Sequence, residues 1–596
     1  MLGNARRKGL EIMRKTKIIC TLGPASESDE IVRELMRSGM NVARFNFSHS
    51  THAEHKKRFE QVDRIRRELG LPVAALLDTK GPEIRLGLLE GGAAVLEKGA
   101  TVTLTTRNVT GNKSLLPISY KRLPDDIADG CRILIDDGLI ELRVASHTET
   151  EIVCTVENGG PVSDRKGVNV PGVRLSMPYL SEQDKADLLF GAELGFDFVA
   201  ASFVRCADDV DQVRAVLVSV PGGSHIRIIA KIENAEGVRN IDEILRAADG
   251  VMVARGDMGV EIPFVELPVL QKMIIKKAYN AGKQVITATQ MLDSMIKNPR
   301  PTRAETTDVA NAIYDGTSAT MLSGETAAGL WPVEAVRTMA SIAEETEGDI
   351  DYEKRFHTRD VVDAPNVTNA ISHATVTTAL DLKAKAIVTV TKTGQTARMI
   401  SKYRPTCPII SGTTSEMVWR QMNLSWGVIP IMLEEQHSND ALFDHAVARA
   451  KARELVDDGD LVVITAGVPL GISGTTNMMK VHIVGDILLT GTGVNSCCVS
   501  GPLCVADNEE AAFASFKPGE ILVMPRTSNS ILELLKDCGG IITEQDGLNS
   551  HAAIVGLALG KPVIVGAKNA TDILRSGTVV TLDSERGIVC NIGNRK

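Results

Sequence analysis

Lys231 and Glu233 are two residues apart at the end of one apolar stretch, and Asp257 stands at the end of the next. In a strand, this spacing directs the side chains of Lys231 and Glu233 to the same face. Carboxylate oxygens with open positions suit Mg2+ or Mn2+, which usually bind substrate phosphate as well. A cation beside such an ion is what phosphoryl transfer needs, because charge on the phosphoryl oxygens must be neutralised in the transition state. The plainer alternative is a salt bridge in which Lys231 only balances two carboxylates.

A second polar group consists of Asn46, Ser48, Asp78 and Thr79. It combines one formal negative charge with several neutral oxygens, and it therefore predicts a site for a monovalent cation rather than a divalent one. The alternative is a hydrogen-bonded strand end without an ion. Arg44, two residues before Asn46, adds a guanidinium fork suited to phosphate or carboxylate.

Eight short apolar segments must position these residues. Each begins as a continuous run of β-branched or small apolar residues, which is typical of a parallel strand buried on both faces, and helical patterning separates most of them. Eight such units predict a (β/α)8 TIM barrel whose strand ends converge in one pocket. Thr289 and Ser323 join that pocket from the last two segments. The segments cover residues 17–23, 41–48, 72–79, 198–204, 227–233, 250–257, 284–290 and 317–325.

The composition is that of an α/β enzyme. Of 596 residues, 43% are apolar and 24% are charged, and this length suggests about four domains. The formal net charge of -9 argues against an extended nucleic-acid surface. The ten cysteines are scattered without paired spacing, which favours reduced thiols. Neither a signal peptide nor a membrane-spanning run is evident. We expect a cytoplasmic protein with no nucleic-acid or membrane partner.

The helical spacing is interrupted between the third and fourth segments, where turn-rich, β-like sequence takes over. This predicts an all-β domain inserted beside the pocket, where it could act as a lid. Beyond residue 350 a new α/β series begins, and a further α/β segment of the swivelling type follows it. The predicted domains are a tail (1–14), a catalytic barrel (15–79 and 176–355), the β lid (80–175), an α/β effector-binding domain (356–488) and a C-terminal domain (489–596).

Several consecutive motifs resemble those of the pyruvate kinase family, in the same order and across about residues 15–488. They read NVARFNFSH, LLDTKGPEIR, KGVNVPGV, AKIENAEGV, VARGDMGVEI, ATQMLDSM, NPRPTRAE and MLSGETAAG. The resemblance implies transfer of phosphate from phosphoenolpyruvate to ADP, giving pyruvate and ATP. It also implies a homotetramer.

By that likeness Glu233 and Asp257 hold Mg2+ or Mn2+, and Lys231 is the cation on the moving phosphoryl group. Arg44 grips the substrate phosphate, and Thr289 receives the substrate carboxylate with backbone groups of Gly256 and Asp257. Thr289 and Ser323 are candidates for a water-mediated proton relay to the enolate of pyruvate. All these positions are present in this chain.

The same likeness assigns Asn46, Ser48, Asp78 and Thr79 to K+. With Glu83 in the motif GPEIR, the chain resembles the potassium-requiring members of the family. A Lys at this place can replace the charge of the ion. Arg85 and Lys166 are implied to contact nucleotide phosphates, with His49 and Asn46 nearby. A Walker loop is not present, because GLALGKP lacks the required spacing.

A strand-to-helix turn in the third domain carries hydroxyls and glycine, which together can cradle phosphate. The resemblance places a phosphorylated effector there and assigns it the residues Thr391, Lys392, Thr393, Gly394 and Thr396. Gln395 stands where some relatives have a basic residue, which favours a monophosphate. The alternative is a plain Gly/Thr loop.

The C-terminal segment resembles the mobile phosphohistidine domain of phosphoenolpyruvate synthase. His551 matches the histidine that carries phosphate there, but Asn549 replaces the usual Thr and no ATP-grasp domain is present. A structural or regulatory appendage is therefore favoured over a working phosphocarrier.

Two other functions are compatible with part of this pattern. A Mg2+-binding barrel could stabilise a pyruvate enolate for carbon–carbon cleavage, but such a lyase needs neither a nucleotide site nor a β lid. A catalytically dead regulatory module is the other, and the complete set of catalytic residues argues against it.

Overall fold

The computed structural model describes residues 14–358, 366–468, 476–485 and 487–591. It forms two compact units. The first comprises Met1–Leu380, Thr389–Asn439 and Thr465–Met478, and the second comprises Asp381–Val388, Asp440–Ile464 and Met479–Lys596.

The first unit begins with three strands and two helices: β1 (Lys17–Thr21), α1 (Asp29–Arg37), β2 (Val42–Asn46), α2 (His52–Leu69) and β3 (Ala74–Asp78). Caps set the helix ends. Thr51 and Glu54 form a capping box at the start of α2, and Gly70 ends the helix in the left-handed region with φ 63°. Nearly every residue of the three strands is buried, as expected of strands covered on both faces.

An inserted β domain follows. Its strands are β4 (Ile84–Arg85), β5 (Ala93–Leu96), β6 (Thr101–Thr105), β7 (Leu115–Pro117), β8 (Arg132–Ile135), β9 (Ile140–His147), β10 (Glu151–Val156), β11 (Gly160–Ser163) and β12 (Gly167–Asn169), with one short helix, α3 (Leu123–Asp126). Seven strands form a sheet in the order β4-β12-β8-β9-β10-β6-β7, and β11 pairs with β5. Most neighbours are antiparallel, and short turns connect β8 to β9 and β9 to β10.

The chain then returns to the barrel. Five strands follow: β13 (Phe198–Ala201), β14 (Arg227–Ile232), β15 (Gly250–Ala254), β16 (Gln284–Ala288) and β17 (Ala319–Leu322). The helices are α4 (Glu182–Leu194), α5 (Ala207–Val218), α6 (Ala235–Arg239), α7 (Ile241–Ala247), α8 (Arg255–Glu261), α9 (Leu267–Asn280), α10 (Arg303–Asp315), α11 (Gly324–Ala327), α12 (Pro332–Asp349) and α13 (Tyr352–His357).

Eight parallel strands close into a barrel in the order β1-β17-β16-β15-β14-β13-β3-β2. Buried apolar side chains fill its interior, among them Ile19, Leu76, Phe198, Ile229 and Ile286. The barrel is therefore a packed core, and chemistry is left to its strand ends. The predicted fold class is confirmed.

The following α/β segment contains α14 (Val367–Asp381), β18 (Ala386–Val390), α15 (Gln395–Ser401), β19 (Ile409–Thr413), α16 (Glu416–Met422), β20 (Val428–Met432), α17 (Asn439–Ala452), β21 (Leu461–Ala466) and β22 (Met478–Ile483). Its five strands form one sheet in the order β20-β19-β18-β21-β22. Alternating strands and helices of this kind indicate a doubly wound arrangement.

The last segment contains β23 (Ile487–Thr490), β24 (Thr492–Gly493), β25 (Cys498–Val505), α18 (Glu509–Ser515), β26 (Ile521–Met524), α19 (Leu532–Asp537), β27 (Gly540–Thr543), α20 (His551–Ala558), β28 (Val563–Val565), α21 (Ala570–Ile573), β29 (Val579–Asp583) and β30 (Ile588–Asn591). They form one eight-stranded sheet in the order β23-β30-β29-β25-β26-β27-β28-β24.

Across the described ranges, no helix is long and apolar enough to cross a membrane. All ten cysteines are free thiols, as their spacing predicts. The predicted domain boundaries stay a prediction, and the predicted tail lies almost entirely outside the described residues.

Candidate active site

A network of charged side chains is buried where the barrel strands end. Lys231 Nζ lies 3.1 Å from Asp78 Oδ1 and 3.0 Å from Glu233 Oε1. Arg44 Nε donates to Asp78 Oδ2 at 2.6 Å, and Arg44 Nη1 donates to Thr21 Oγ1 at 3.0 Å. Residues from β2, β3 and β14 thus meet in one cluster, as the barrel prediction requires.

The network holds its central residues in their charged forms. Burial alone would lower the pKa of Lys231, but the carboxylates of Asp78 and Glu233 raise it above its usual value. Burial would likewise raise the pKa of Asp78, yet Arg44 and Lys231 hold that pKa below its usual range. Lys231 therefore stays a cation and Asp78 a carboxylate at neutral pH.

By contrast, the pKa values of Glu233 and Asp257 are shifted toward the neutral forms of these groups. Burial, with repulsion from Asp257, raises the pKa of Glu233 to about 7. Burial, with the carboxylates of Asp137 and Glu83, raises the pKa of Asp257. Within the described ranges, Glu233 Oε1 is buried and accepts no hydrogen bond, although Lys231 Nζ is near.

A divalent cation fits this donor set, because it would relieve the repulsion and satisfy the buried oxygen. Among the described residues, no group of three or more His, Cys, Asp or Glu side chains that could hold a metal is present, either here or elsewhere. A site with only two protein carboxylates is typical of Mg2+ bound together with substrate phosphate.

Ser202 is central to the network, although its sequence position did not single it out. Its hydroxyl accepts from Lys231 Nζ at 2.8 Å and lies 2.7 Å from the Thr79 carbonyl and 3.2 Å from Asp78 Oδ1. A serine at the end of a strand is uncharged, and its residue type and position do not by themselves indicate a function. Only its lysine partner, 29 residues away, reveals its role as a positioning residue.

We expect Ser202→Ala to lower kcat about tenfold, because Lys231 loses a charged hydrogen bond that fixes its ammonium group. Steady-state kinetics with the stability of each variant checks this. Thr287→Val is the matched control, since it removes another buried barrel hydroxyl, which bonds to Thr317. Equal loss of kcat in both variants would reduce Ser202 to a packing residue.

The second polar group lies beside this network. Asn46 is paired with Asp78 across β2 and β3, and its side-chain oxygen accepts from Ser48 N at 3.2 Å. Thr79 Oγ1 accepts from Ser202 N at 3.1 Å. The donors are an amide, hydroxyls and one carboxylate, which fit a monovalent cation in kind.

Arg85 and Lys166, two of the predicted nucleotide residues, line one cleft of about 590 Å3 together with Asp257, whereas Asn46 is not part of its wall. Arg85 Nε donates to Glu83 at 2.6 Å, and Lys166 Nζ lies 2.8 Å from Asp136. His49 lines the same cleft. The cations that are predicted to bind phosphate are thus paired with carboxylates, and an incoming phosphate would have to compete for them.

The ends of β16 and β17 are braced by two residues that the sequence interpretation did not name. Arg255 donates to the carbonyls of Ala288, at 3.1 Å, and Thr289, at 2.6 Å. It thereby supports Thr289, whose φ is 73°. Glu325 accepts from Ser323 N at 2.7 Å and from Leu292 N at 3.0 Å, so it ties the two strand ends together.

Gly256 permits the close approach of these loops. A Cβ atom on Gly256 would lie 2.8 Å from Thr289 Cγ2, which is too short for two carbon atoms. No hydroxyl hydrogen bond joins Thr289 or Ser323 to Lys231 in the part of the chain that the structure describes. The predicted relay therefore remains a prediction.

The predicted effector loop is a compact turn at the start of α15. Gly394, with φ 74°, donates its N–H to Thr391 Oγ1 at 3.0 Å. Thr396 Oγ1 lies 3.0 Å from Thr476 Oγ1, and Lys392 is exposed. The Thr393 carbonyl accepts from Arg227, the first residue of β14, at 3.2 Å.

Both ring nitrogens of His551 are engaged within the second unit. Nδ1 lies 2.9 Å from Thr527 Oγ1, and Nε2 lies 3.0 Å from Asn529 Oδ1. Because an amide oxygen can only accept, the proton is on Nε2, and Nδ1 accepts from the hydroxyl of Thr527. Neither nitrogen is free for attack without a rearrangement of these partners.

A parallel eight-stranded barrel with ionic groups buried at its strand ends defines a (β/α)8-barrel enzyme. The family described as pyruvate kinase, barrel domain, matches residues 13–336, and the pyruvate kinase alpha/beta domain matches residues 369–482. The mobile domain of PEP-utilising enzymes matches residues 516–587.

The relatives match the sequence of this chain over almost their whole length. A pyruvate kinase of Sporosarcina psychrophila is 50% identical over 97% of this chain and 99% of its own. One of Geobacillus stearothermophilus is 50% identical over 97% and 98%. A crystal structure of a pyruvate kinase from Cryptosporidium parvum, 40% identical, superposes with a TM-score of 0.76 over 80% of this chain and 99% of its own. The chain belongs to the pyruvate kinase family and is an enzyme, a phosphotransferase.

Proposed function

We propose that this enzyme transfers the phosphoryl group of phosphoenolpyruvate to ADP at the barrel strand ends around Lys231, giving pyruvate and ATP. The observation that carries this assignment is the buried Lys231 ammonium, held by Asp78, Glu233 and Ser202. A fixed cation in a dry site stabilises charge that develops in a transition state far better than one in water.

Different residues of the chain have different roles in the proposed reaction. Arg44 presents a guanidinium for the substrate phosphate, and Lys231 stabilises the transferring group and then the enolate. Thr289, with backbone groups at Gly256 and Asp257, receives the substrate carboxylate. Thr289 and Ser323 are proposed to relay the proton that converts the enolate to pyruvate. The nucleotide is bound by Arg85, Lys166, His49 and Asn46.

Pyruvate kinases generally need a divalent metal and K+. We assign Mg2+ or Mn2+ to Glu233 and Asp257, where it would neutralise phosphoryl charge when bound. We assign K+ to Asn46, Ser48, Asp78 and Thr79. The two buried carboxylates, whose pKa values are raised by burial and by neighbouring negative charge, support the first assignment, and the donor chemistry supports the second.

An assay of ADP-dependent pyruvate release from phosphoenolpyruvate, with and without K+, tests the proposed reaction directly. Pyruvate release must require ADP and must yield ATP in equal amount. Release of pyruvate without ADP would indicate a phosphatase or lyase reaction instead.

We expect Glu83→Lys to reduce the dependence on K+ several-fold, because a lysine ammonium can supply the positive charge of the ion. Rates measured in K+ and in tetramethylammonium chloride at equal ionic strength check this. Glu261→Lys, which places the same charge elsewhere on the cleft, is the matched control. Undiminished dependence on K+ in Glu83→Lys would contradict the charge-replacement argument.

We further propose that a phosphorylated metabolite regulates the enzyme at Thr391–Thr396. The hydroxyl- and glycine-rich turn at the start of α15 supports this site.

A homotetramer in the cytoplasm is proposed by family likeness. Three apolar residues near the start of α9 are strongly exposed, at 78% for Phe264, 67% for Val265 and 69% for Val269. Such a patch supports a contact between subunits. Free thiols throughout the chain support a reducing compartment.

For His551 we expect no phosphocarrier activity, because both ring nitrogens are hydrogen-bonded. Incubation with labelled phosphoenolpyruvate, followed by analysis of acid-labile phosphate, checks this against His551→Ala. Wild type and variant should carry equal label and turn over at equal rates. Label present in the wild type and lost in the variant would establish the histidine as a carrier.

A further inference from the structure

A second cation-rich cavity lies at the opposite end of the barrel from Lys231. Its volume is about 250 Å3, well above the roughly 30 Å3 that one water molecule occupies in the liquid. It borders Gly316, just before β17 begins, so it is at the amino ends of the strands. Its wall combines aromatic side chains with four cations: Lys276, Arg355, Lys402 and Arg404.

Arg404 is the deepest of these cations, with an exposed fraction of 7%. Its Nη2 donates to the Gly316 carbonyl at 2.8 Å and to Ser318 Oγ at 3.4 Å. Its Nε and Nη1 are buried and find no hydrogen-bond acceptor among the described residues. The guanidinium lies 4.5 Å from the centre of the Trp426 ring. Unsatisfied donors on a buried charge are costly, and the uncompensated charge of Arg404 therefore favours an anion nearby.

Lys276 and Arg355 also lack acidic partners among the described residues, whereas Lys402 donates to Asn369 Oδ1 at 3.4 Å. Within the described ranges, no carboxylate oxygen lies within 4.0 Å of Lys276, Arg355 or Arg404. Arg355 Nη2 donates to the Tyr314 carbonyl at 3.0 Å. Asp315 borders the cavity, but Lys272 and Gln271 already hold its carboxylate.

The charge of Arg404 persists at neutral pH. Burial lowers its pKa to about 10, and the nearby Arg355 acts in the same direction. Lys276 is exposed and offers solvent access. Four cationic side chains therefore line one cavity that can be reached from outside.

We propose that this cavity binds a small phosphate dianion, either free or as the head of a monoester. A dianion offsets much of the local charge, and its several oxygens can accept from Lys276 and Arg355 beside the buried charge of Arg404. The volume leaves room for more than a bare phosphate, and the aromatic wall suits a flat substituent. The site is separate from the Thr391–Thr396 loop and from the catalytic network.

Tryptophan emission during titration with inorganic phosphate tests the proposal, because Trp426 stacks on Arg404. Potassium chloride at equal ionic strength is the reference, and a parallel titration with phenyl phosphate distinguishes an ester from the free anion. The Lys276→Met/Arg355→Met double variant removes two surface-accessible cations. Lys277→Met is the matched control, because this lysine is on the same helix but pairs with Asp242.

We expect a saturable emission change in the wild type and in Lys277→Met. The double variant should bind phosphate at least about tenfold more weakly, since it loses two charge-assisted contacts. Tighter binding of phenyl phosphate than of phosphate would assign the site to an ester, and the reverse order to the free anion.

Three results would overturn the proposal. They are an equal change with chloride, an unaltered double variant, and a loss confined to Lys392→Met, which would place the phosphate at the predicted effector loop instead.

Discussion

A Lys231→Met variant is expected to lose phosphoryl transfer, with kcat lowered by roughly 10^3-fold or more. Lys231 is the cation between Asp78 and Glu233, and methionine keeps much of its volume without its charge. Divalent binding should persist or tighten, because removal of a positive charge leaves the two metal-binding carboxylates less compensated. Turnover of phosphoenolpyruvate and Mn2+ binding measured by electron paramagnetic resonance check the two parts separately.

Lys17→Met is the matched control for this variant. Lys17 is also buried, and its Nζ donates to the Val428 carbonyl at 2.7 Å, but it is at the amino end of β1. Its loss should affect stability rather than the chemical step. Near-normal turnover in Lys231→Met would remove Lys231 from the catalytic role. Loss of Mn2+ binding together with activity would instead make it a structural support of the metal site.

The second large effect is expected at Glu233. A Glu233→Gln variant should bind Mn2+ at least about 100-fold more weakly and lose activity at ordinary metal concentrations, because one of only two carboxylate ligands becomes neutral. Glu261→Gln provides the control. Glu261 lines the same cleft and burial also raises its pKa, but it bonds to Asn169.

The pH dependence of metal binding follows from the same residue. Because the pKa of Glu233 is raised to about 7, protons compete with the metal below that pH. Mn2+ affinity should fall about tenfold per pH unit below 7 and level off above it. Glu233→Gln should remove this slope, while Glu261→Gln keeps it. A slope that survives in Glu233→Gln would assign the titration to another group.

The pH dependence of stability has the opposite sign to that of metal binding. In the metal-free enzyme the folded state binds a proton at Glu233 more tightly than the unfolded state, whose ordinary value is 4.5. The contribution of this group to the free energy of unfolding is therefore present at low pH and is lost as the pH rises from about 4.5 to 7. Saturating Mg2+ should restore stability at neutral pH.

The sequence by itself determined the barrel and the residue types at its strand ends. Short continuous apolar runs are typical of strands that are covered on both faces. Polar residues that follow such runs collect at one rim of the barrel. Lys231, Glu233, Asp257, Arg44 and Asp78 could be named on this basis, because charges at the ends of buried strands stand out from their surroundings.

Only the tertiary structure decided how these residues are held. Ser202, Arg255 and Glu325 act through partners on other strands, and a serine, an arginine or a glutamate at a strand end carries no mark of those partners. The cavity at Arg404 is a further case, since its unpaired charges come from three separate segments. Contacts between residues far apart in the chain depend on barrel closure and side-chain packing, and local patterns of hydrophobicity do not encode them.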